Sequence, residues 1–183
     1  MQIKLPPNDD VAALTDLALR WRDVSTSHGL MDGHIGALDG WIPRMEKPRG
    51  VSNTADYFSG HYQMYGLNIQ AMCDPDLIFL YSAIAAPGKT NDIRAFSRLQ
   101  RFTEWLEGLP DQFFISADNA YPLSRVILIP FEAPEYIAHE HNRIFNFYLS
   151  QLRICIEMAF GHMTTKWRRL RYNLNFSLQK MLK

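Results

Sequence analysis

Apolar positions recur at helical spacing through the last third of the chain. Read at 100° per residue, Phe145, Leu149, Leu152, Ile156, Ala159, Met163, Trp167 and Leu170 share one stripe. Asn146, Ser150, Arg153, Glu157, Gly161, Thr164, Arg168 and Arg171 share another. The pattern predicts a long amphipathic helix with a break near Gly161 and with Trp167 in the core. Upstream the period changes. Residues 1–10 read as a disordered or loosely packed lead, and Val11–Ser25 reads as a helix with Leu14, Leu17, Ala18 and Trp21 on one side. Ile35–Asp39 is a short apolar strand. The stretch from Trp41 to Ser59 is rich in Pro, Gly, Arg and Lys and reads as a loop. Tyr62–Met72 alternates, Cys73–Asp76 is a turn, and Leu77–Ala85 is almost wholly apolar. That predicts a hairpin whose second strand is central. Pro87-Gly88 breaks the chain. Asp92–Leu106 follows as a helix with Ile93, Phe96, Leu99, Phe102 and Leu106 inward. Phe113–Asp118 and Arg125–Ile129 are strands, and Pro134–Ala138 leads towards the last helix.

With 183 residues and 47% hydrophobic content, one ordinary core and one domain are expected. The formal net charge of zero conceals an asymmetry. Residues 143–183 hold eight Lys or Arg and one acid, a balance of +7, leaving −7 on the rest. A basic end beside an acidic body suits a polyanionic partner, or else a solvated helix face. The two cysteines, Cys73 and Cys155, form no paired pattern, which points to a reducing compartment. The first residues lack an apolar signal region, and the longest apolar run, 77–87, is far below the roughly 20 residues a spanning helix needs. An intracellular protein without membrane attachment is the expectation.

Three acids stand out. Asp39 and Asp118 each end an apolar run and precede turn residues, so each is either a carboxylate delivered at a strand end or the start of a turn. Glu157 is the lone acid in the basic terminal segment. It is either an i,i+4 partner for Arg153, worth roughly 0.2–0.5 kcal/mol, or a metal ligand. Asp118 lies 79 residues after Asp39, and Glu157 lies 39 residues after Asp118.

Together these positions resemble the DDE superfamily endonucleases of the PIF/Harbinger transposase class. The resemblance runs from about Trp21 to about Tyr172. It rests on Gly36-Ala-Leu-Asp39-Gly40, Pro87-Gly-Lys-Thr-Asn-Asp92, Ala117-Asp118-Asn-Ala-Tyr121-Pro122, and the helix carrying Asn146, Ser150, Arg153, Glu157, Gly161 and Trp167-Arg168. The chain departs from the family pattern at Trp41-Ile-Pro after the first Asp-Gly, at Asn119 and at Thr164. The resemblance implies an α/β fold, an RNase H-like mixed sheet in the order β-β-β-α-β-β-α flanked by helices. It places Asp39 next to Asp118 on adjoining strands, with Glu157 arriving from the following helix. It divides the chain into a lead over residues 1–20 and a catalytic domain over 21–183, without the family's N-terminal DNA-binding region.

The implied activity is metal-dependent hydrolysis and strand transfer of DNA phosphodiesters by Asp39, Asp118 and Glu157 as catalytic and metal-binding residues. The implied cofactor is a pair of Mg2+ ions, or Mn2+. Two hard ions held by carboxylates supply both an activated water and a charge clamp on the leaving oxygen. Three close carboxylates repel one another unless cations sit among them. The expected partner is DNA, with a separate DNA-binding protein supplying specificity, an oligomer allowed, and a nuclear location. Arg153, Lys166, Arg168, Arg169 and Arg171 are the expected phosphate contacts. The alternative is a catalytically inactive or domesticated DNA- or protein-binding module, or a gene fragment. His139-Glu140-His141 is read as a solvent-facing run rather than a zinc site. Asp74 and Asp76 are read as turn residues, and Asp92 as a family position or a helix N-cap.

Overall fold

A computed structural model describes residues 3–174. The terminal Lys180 and Lys183 of the basic segment lie outside them.

Helix α1, Val11–Trp21, opens with the Asp10 side chain accepting from the Ala13 amide, a normal N-cap. Strand β1, His34–Trp41, carries the first Asp-Gly, and β2 is the short Arg44–Met45. A 3₁₀ turn, Thr54–Tyr57, precedes β3, Phe58–Ser59. The segment expected to be loop therefore holds two short strands. Their residues pair with the first half of β4, Met64–Cys73. Strand β5, Phe79–Pro87, completes the expected hairpin with β4.

Beyond the Gly88–Asn91 corner come α2, Asp92–Phe96, and α3, Gln100–Glu107. The single helix expected here is split at Ser97–Leu99, and Ile93, expected inward, is 45% exposed. Strands β6, Phe114–Ser116, and β7, Ile127–Leu128, follow, then the one-turn α4, Glu135–Ala138. Helix α5 spans Glu140–Lys166.

The sheet is mixed. β4 lies between β1 and β5 and is antiparallel to both, while β1, β6 and β7 run parallel. Among the described residues β5 pairs only with β4 and is an edge, not the central strand its apolar run suggested. Small residues such as Ser82 and Ala83 fill much of it, and Ile84 is 38% exposed. Its apolarity covers an aromatic layer on one side: Tyr81 stacks on Phe102 of α3 at 4.1 Å. On the opposite face Phe79 and Trp41 meet Phe160 of α5, at 5.6 and 5.8 Å. Helices thus cover both faces, as a sheet with parallel strands requires.

α5 does not break at Gly161. It presents Leu149, Leu152, Cys155, Ile156, Ala159 and Phe160 to the core and ends at Lys166. Among the described residues nothing lies within 4 Å of where a Gly161 Cβ would project, so this glycine is not there for a close approach. Trp167, expected in the core, is 62% exposed because the helical phase stops before it. Arg168–Arg171 form a 3₁₀ turn instead, with Leu170 packed on a small cluster of Met45, Leu67 and Leu174. The lead is also firmer than expected. The Trp105 indole donates to the Pro6 carbonyl at 2.8 Å, the Asn8 amide donates to the Trp105 carbonyl at 3.2 Å, and Leu5 packs on the core. Among the described residues no helix is long and apolar enough to cross a membrane.

Candidate functional site

β1 is buried from His34 to Leu38 and emerges at Asp39. Its parallel neighbour β6 pairs through Ala37 and Ser116, so Asp39 and Asp118 each stand two residues past the same rung. Successive side chains alternate across a strand. Asp39 therefore lies on the face of Trp41, towards α5, and Gly40 turns the other way. Asp118 also starts a turn: its carboxylate accepts from the Ala120 amide at 2.8 Å. Strand end and turn, held apart as alternatives in the sequence, coexist here. The same is true of Asp74, which accepts from the Asp76 and Ile78 amides and also pairs with Arg20.

A third acid joins from the opposite face. Asp92 Oδ1 accepts from Asn68 Nδ2 and from Gln70 Nε2, each at 3.0 Å. It comes so near β1 that a Cβ on Gly40 would sit 2.3 Å from Asp92 Oδ1. Only glycine admits that approach, which is the physical reason for an Asp-Gly pair here. Gln70 Oε1 in turn accepts from the buried Tyr121 hydroxyl. Asp92 is not the N-cap suggested by its position. Asn91 caps α2, accepting from the Arg94 amide, which leaves the Asp92 carboxylate for the sheet.

The acids sense one another. Burial pushes the Asp39 carboxyl up to about 7, the charges of Asp118 and Asp92 push the same way, and the Gly40 amide and Arg153 pull back. Burial, followed by the charges of these three aspartates, raises the phenols of Tyr62 and Tyr121. Tyr62, on the turn before β4, and Tyr121, after β6, thus border the cluster.

Arg153 and Glu157 sit one turn apart on α5, half-buried and exposed respectively. They do not form the ion pair weighed from sequence, and Arg153 acts on Asp39 instead. The structure therefore brings Asp39, Asp118 and Asp92 into one electrostatic field, with Arg153 beside it and Glu157 on the next turn of the same helix face. Asn146, lower on that face, clamps the Phe131 backbone through two hydrogen bonds of 2.8 and 2.9 Å. Lys166, Arg168, Arg169 and Arg171 are all exposed at the far end, where Arg171 donates to Thr165 Oγ1 at 2.6 Å. His139 and His141 are exposed, with their rings stacked at 5.4 Å.

Among the described residues, no three His, Cys, Asp or Glu side chains close on one another tightly enough to grip a metal ion. By chemistry alone, the aspartates are donors of the kind a hard divalent cation takes. They offer only oxygen, and magnesium takes one or two carboxylates while keeping several waters. Burial is the main reason that the Asp39 carboxyl is raised, and the neighbouring charges of Asp118 and Asp92 add to it.

Sequence reasoning missed the Asn68–Gln70–Tyr121 network and the reach of Asp92 and Tyr62 to the acids. Asp92 was in view as the end of the Pro87–Asp92 motif, but nothing local shows that it crosses to β1.

The family model for DDE superfamily endonucleases matches residues 38–183, beginning one residue before Asp39. No curated protein and no solved structure matches the chain.

Proposed function

Because the chain belongs to the DDE superfamily of endonucleases, we propose that it is a metal-dependent DNA endonuclease of the PIF/Harbinger transposase type. The carrying observation is that Asp39 on β1 shares one field with Asp118, two residues past the parallel strand β6, and with Asp92 of α2, its carboxyl raised to about 7 chiefly by burial. The order β5-β4-β1-β6-β7, antiparallel then parallel, supports an RNase H-like reading of the sheet.

In this reading Asp39, Asp118 and Glu157 hold divalent metal, Mg2+ or Mn2+. When bound, a pair of such ions supplies an activated water and neutralises the leaving oxygen. Asp39 needs its proton removed to serve as a ligand, so metal affinity rises as pH passes about 7. Asp118 is oriented by the Ala120 amide, and its charge acts on Asp39 from two residues past β6. Glu157, exposed on α5 one turn after Arg153, completes the ligand set, and Arg153 counters the charge on Asp39. Lys166, Arg168, Arg169 and Arg171 take phosphates of the DNA backbone, which position a nuclease without specifying its target. A separate DNA-binding protein supplies that specificity, and the site of action is the nucleus.

Nicking of supercoiled plasmid tests the proposal. The purified protein should nick with magnesium or manganese and leave a 3′-hydroxyl. Asp118→Asn should lose the activity while keeping the fold, because the amide is nearly isosteric but a poor metal ligand. Nicking that survives this substitution or excess chelator sinks the mechanism. A folded wild-type protein that binds DNA but never nicks leaves the inactive, domesticated module as the reading.

A further inference from the structure

The Gly88–Asn91 corner builds a second feature that the acid site does not use. The Gly88 amide donates to the Gly66 carbonyl at 3.0 Å, and a Cβ on Gly88 would lie 2.7 Å from that oxygen. The next amide, of Lys89, donates to the Asp56 carbonyl at 2.9 Å. These contacts pull the corner onto the 3₁₀ turn and leave a pocket of about 420 Å³ between them. It is lined by Asp56, Lys89, Thr90, Asn91, Arg94 and Arg98, with Pro87 at its edge.

The charge of this pocket is unbalanced. Lys89, Arg94 and Arg98 are exposed, and among the described residues no carboxylate lies within ion-pair distance of any of them. Asp56 is the one acid in the lining, and its carboxylate is already engaged by Asn53 Nδ2 at 2.9 Å. The corner is also tied to the acid cluster. The Thr90 carbonyl accepts from Asn68 Nδ2, the same amide group that holds Asp92. A ligand seated here is thus one residue along the backbone from the Asp92 carboxylate. Three unpaired cations beside an acid cluster suit the flanking part of a polyanion, which the acids themselves repel unless cations sit among them.

We propose that Lys89, Arg94 and Arg98 bind backbone phosphates of the DNA strand flanking the bond to be cut. This inference rests on the nuclease reading above and adds a contact distinct from the basic end of α5. Guanidinium groups suit phosphate because their planar fork matches its oxygens.

The test measures binding of a roughly 30-base-pair duplex by fluorescence anisotropy across a salt series. The parent is full-length Asp39→Asn, which should bind without cutting. Adding Lys89→Ala, Arg94→Ala and Arg98→Ala should weaken binding about tenfold or more. It should also flatten the log–log salt slope by about 2–3, since each lost phosphate contact removes about 0.9. Adding Asp56→Asn instead should tighten binding a few-fold, a direction that general structural damage does not produce. A folded triple variant with parental affinity and slope overturns the pocket while the nuclease reading stands. If the triple variant does not fold, Asp56→Asn decides: tighter binding supports the pocket and no tightening overturns it. A parent that binds no duplex at all overturns both.

Discussion

Asp39 and His34 stand five residues apart on one strand and carry opposite pH dependences. His34 is fully buried, its Nε2 meets Ser116 Oγ at 2.9 Å, and burial drops its pKa to about 3. Its folded pKa lies below the unfolded value near 6.5, so the stability it contributes is present above about 6.5 and fades as pH falls towards 3. Asp39 is the reverse: its folded pKa, about 7, lies above the unfolded value near 3.8. The fold is favoured while Asp39 stays protonated, and stability is lost as pH rises from about 4 through 7. In the metal-free protein the two trends oppose each other across weakly acid pH. Asp39→Asn removes one of them and keeps the acceptor for the Gly40 amide. We expect this variant to be more stable than wild type at pH 8, by about 2 kcal/mol after allowing for partial solvation. Chelator-treated thermal melts should show the gain shrinking to nothing near pH 4. A variant no more stable at pH 8 would mean that Asp39 ionises there without cost.

At the scale of elements, the β1–α2 junction depends on a missing side chain. Gly40→Ala would drive a methyl into Asp92 Oδ1 and Gln70 Nε2, neither of which is free to swing away. The expected cost is about 2–3 kcal/mol. Asp92→Ala in the same chain should restore part of it, because the two changes share one contact. Urea unfolding of the two single variants and the double variant measures that coupling, and strict additivity would refute the contact. Elements of this kind were only half legible in the sequence. The alternation of residues 62–72 and the turn at Asp74-Pro75 declared the hairpin, since both signals are local. Which of its strands would be the edge was not, because an apolar run reports burial against helices as readily as burial between strands. The end of α5 was equally hidden. Trp167 keeps the helical period in sequence but falls after the last turn. Asp39 and Asp118 were legible as acids at or just past strands, although β1 runs on to Trp41 and β6 stops at Ser116. Asp92 was not, because its partners Asn68, Gln70 and Gly40 are long-range and local pattern carries no trace of them.

Over the whole molecule, the described structure places exposed cations at two separate points. One is the end of α5 with Lys166, Arg168, Arg169 and Arg171; the other is the corner with Lys89, Arg94 and Arg98. Replacing the four α5-end cations by Ala should reduce affinity for duplexes of any sequence alike. It should also lower the salt slope by about 3–4. Because the two groups share no lining residue, their losses should add within about 0.5 kcal/mol in a combined variant. Anisotropy titrations on two unrelated duplexes check both statements. An unchanged slope would show that the α5-end charges only solvate the surface.

The pairing of β1 with β6 joins segments far apart along the chain, and every residue of β4 and β5 is made between them. The local hairpin can form as soon as it is synthesised, whereas closing the long loop to β6 is slow and comes late. Until residues 114–116 arrive, Ile35, Ala37 and Leu38 line an open, apolar strand edge. Such an edge recruits other chains unless it is covered. A chain interrupted before Phe114 is therefore destined to clump rather than to cut, and the joining step that silences the edge is the same one that first sets Asp118 beside Asp39.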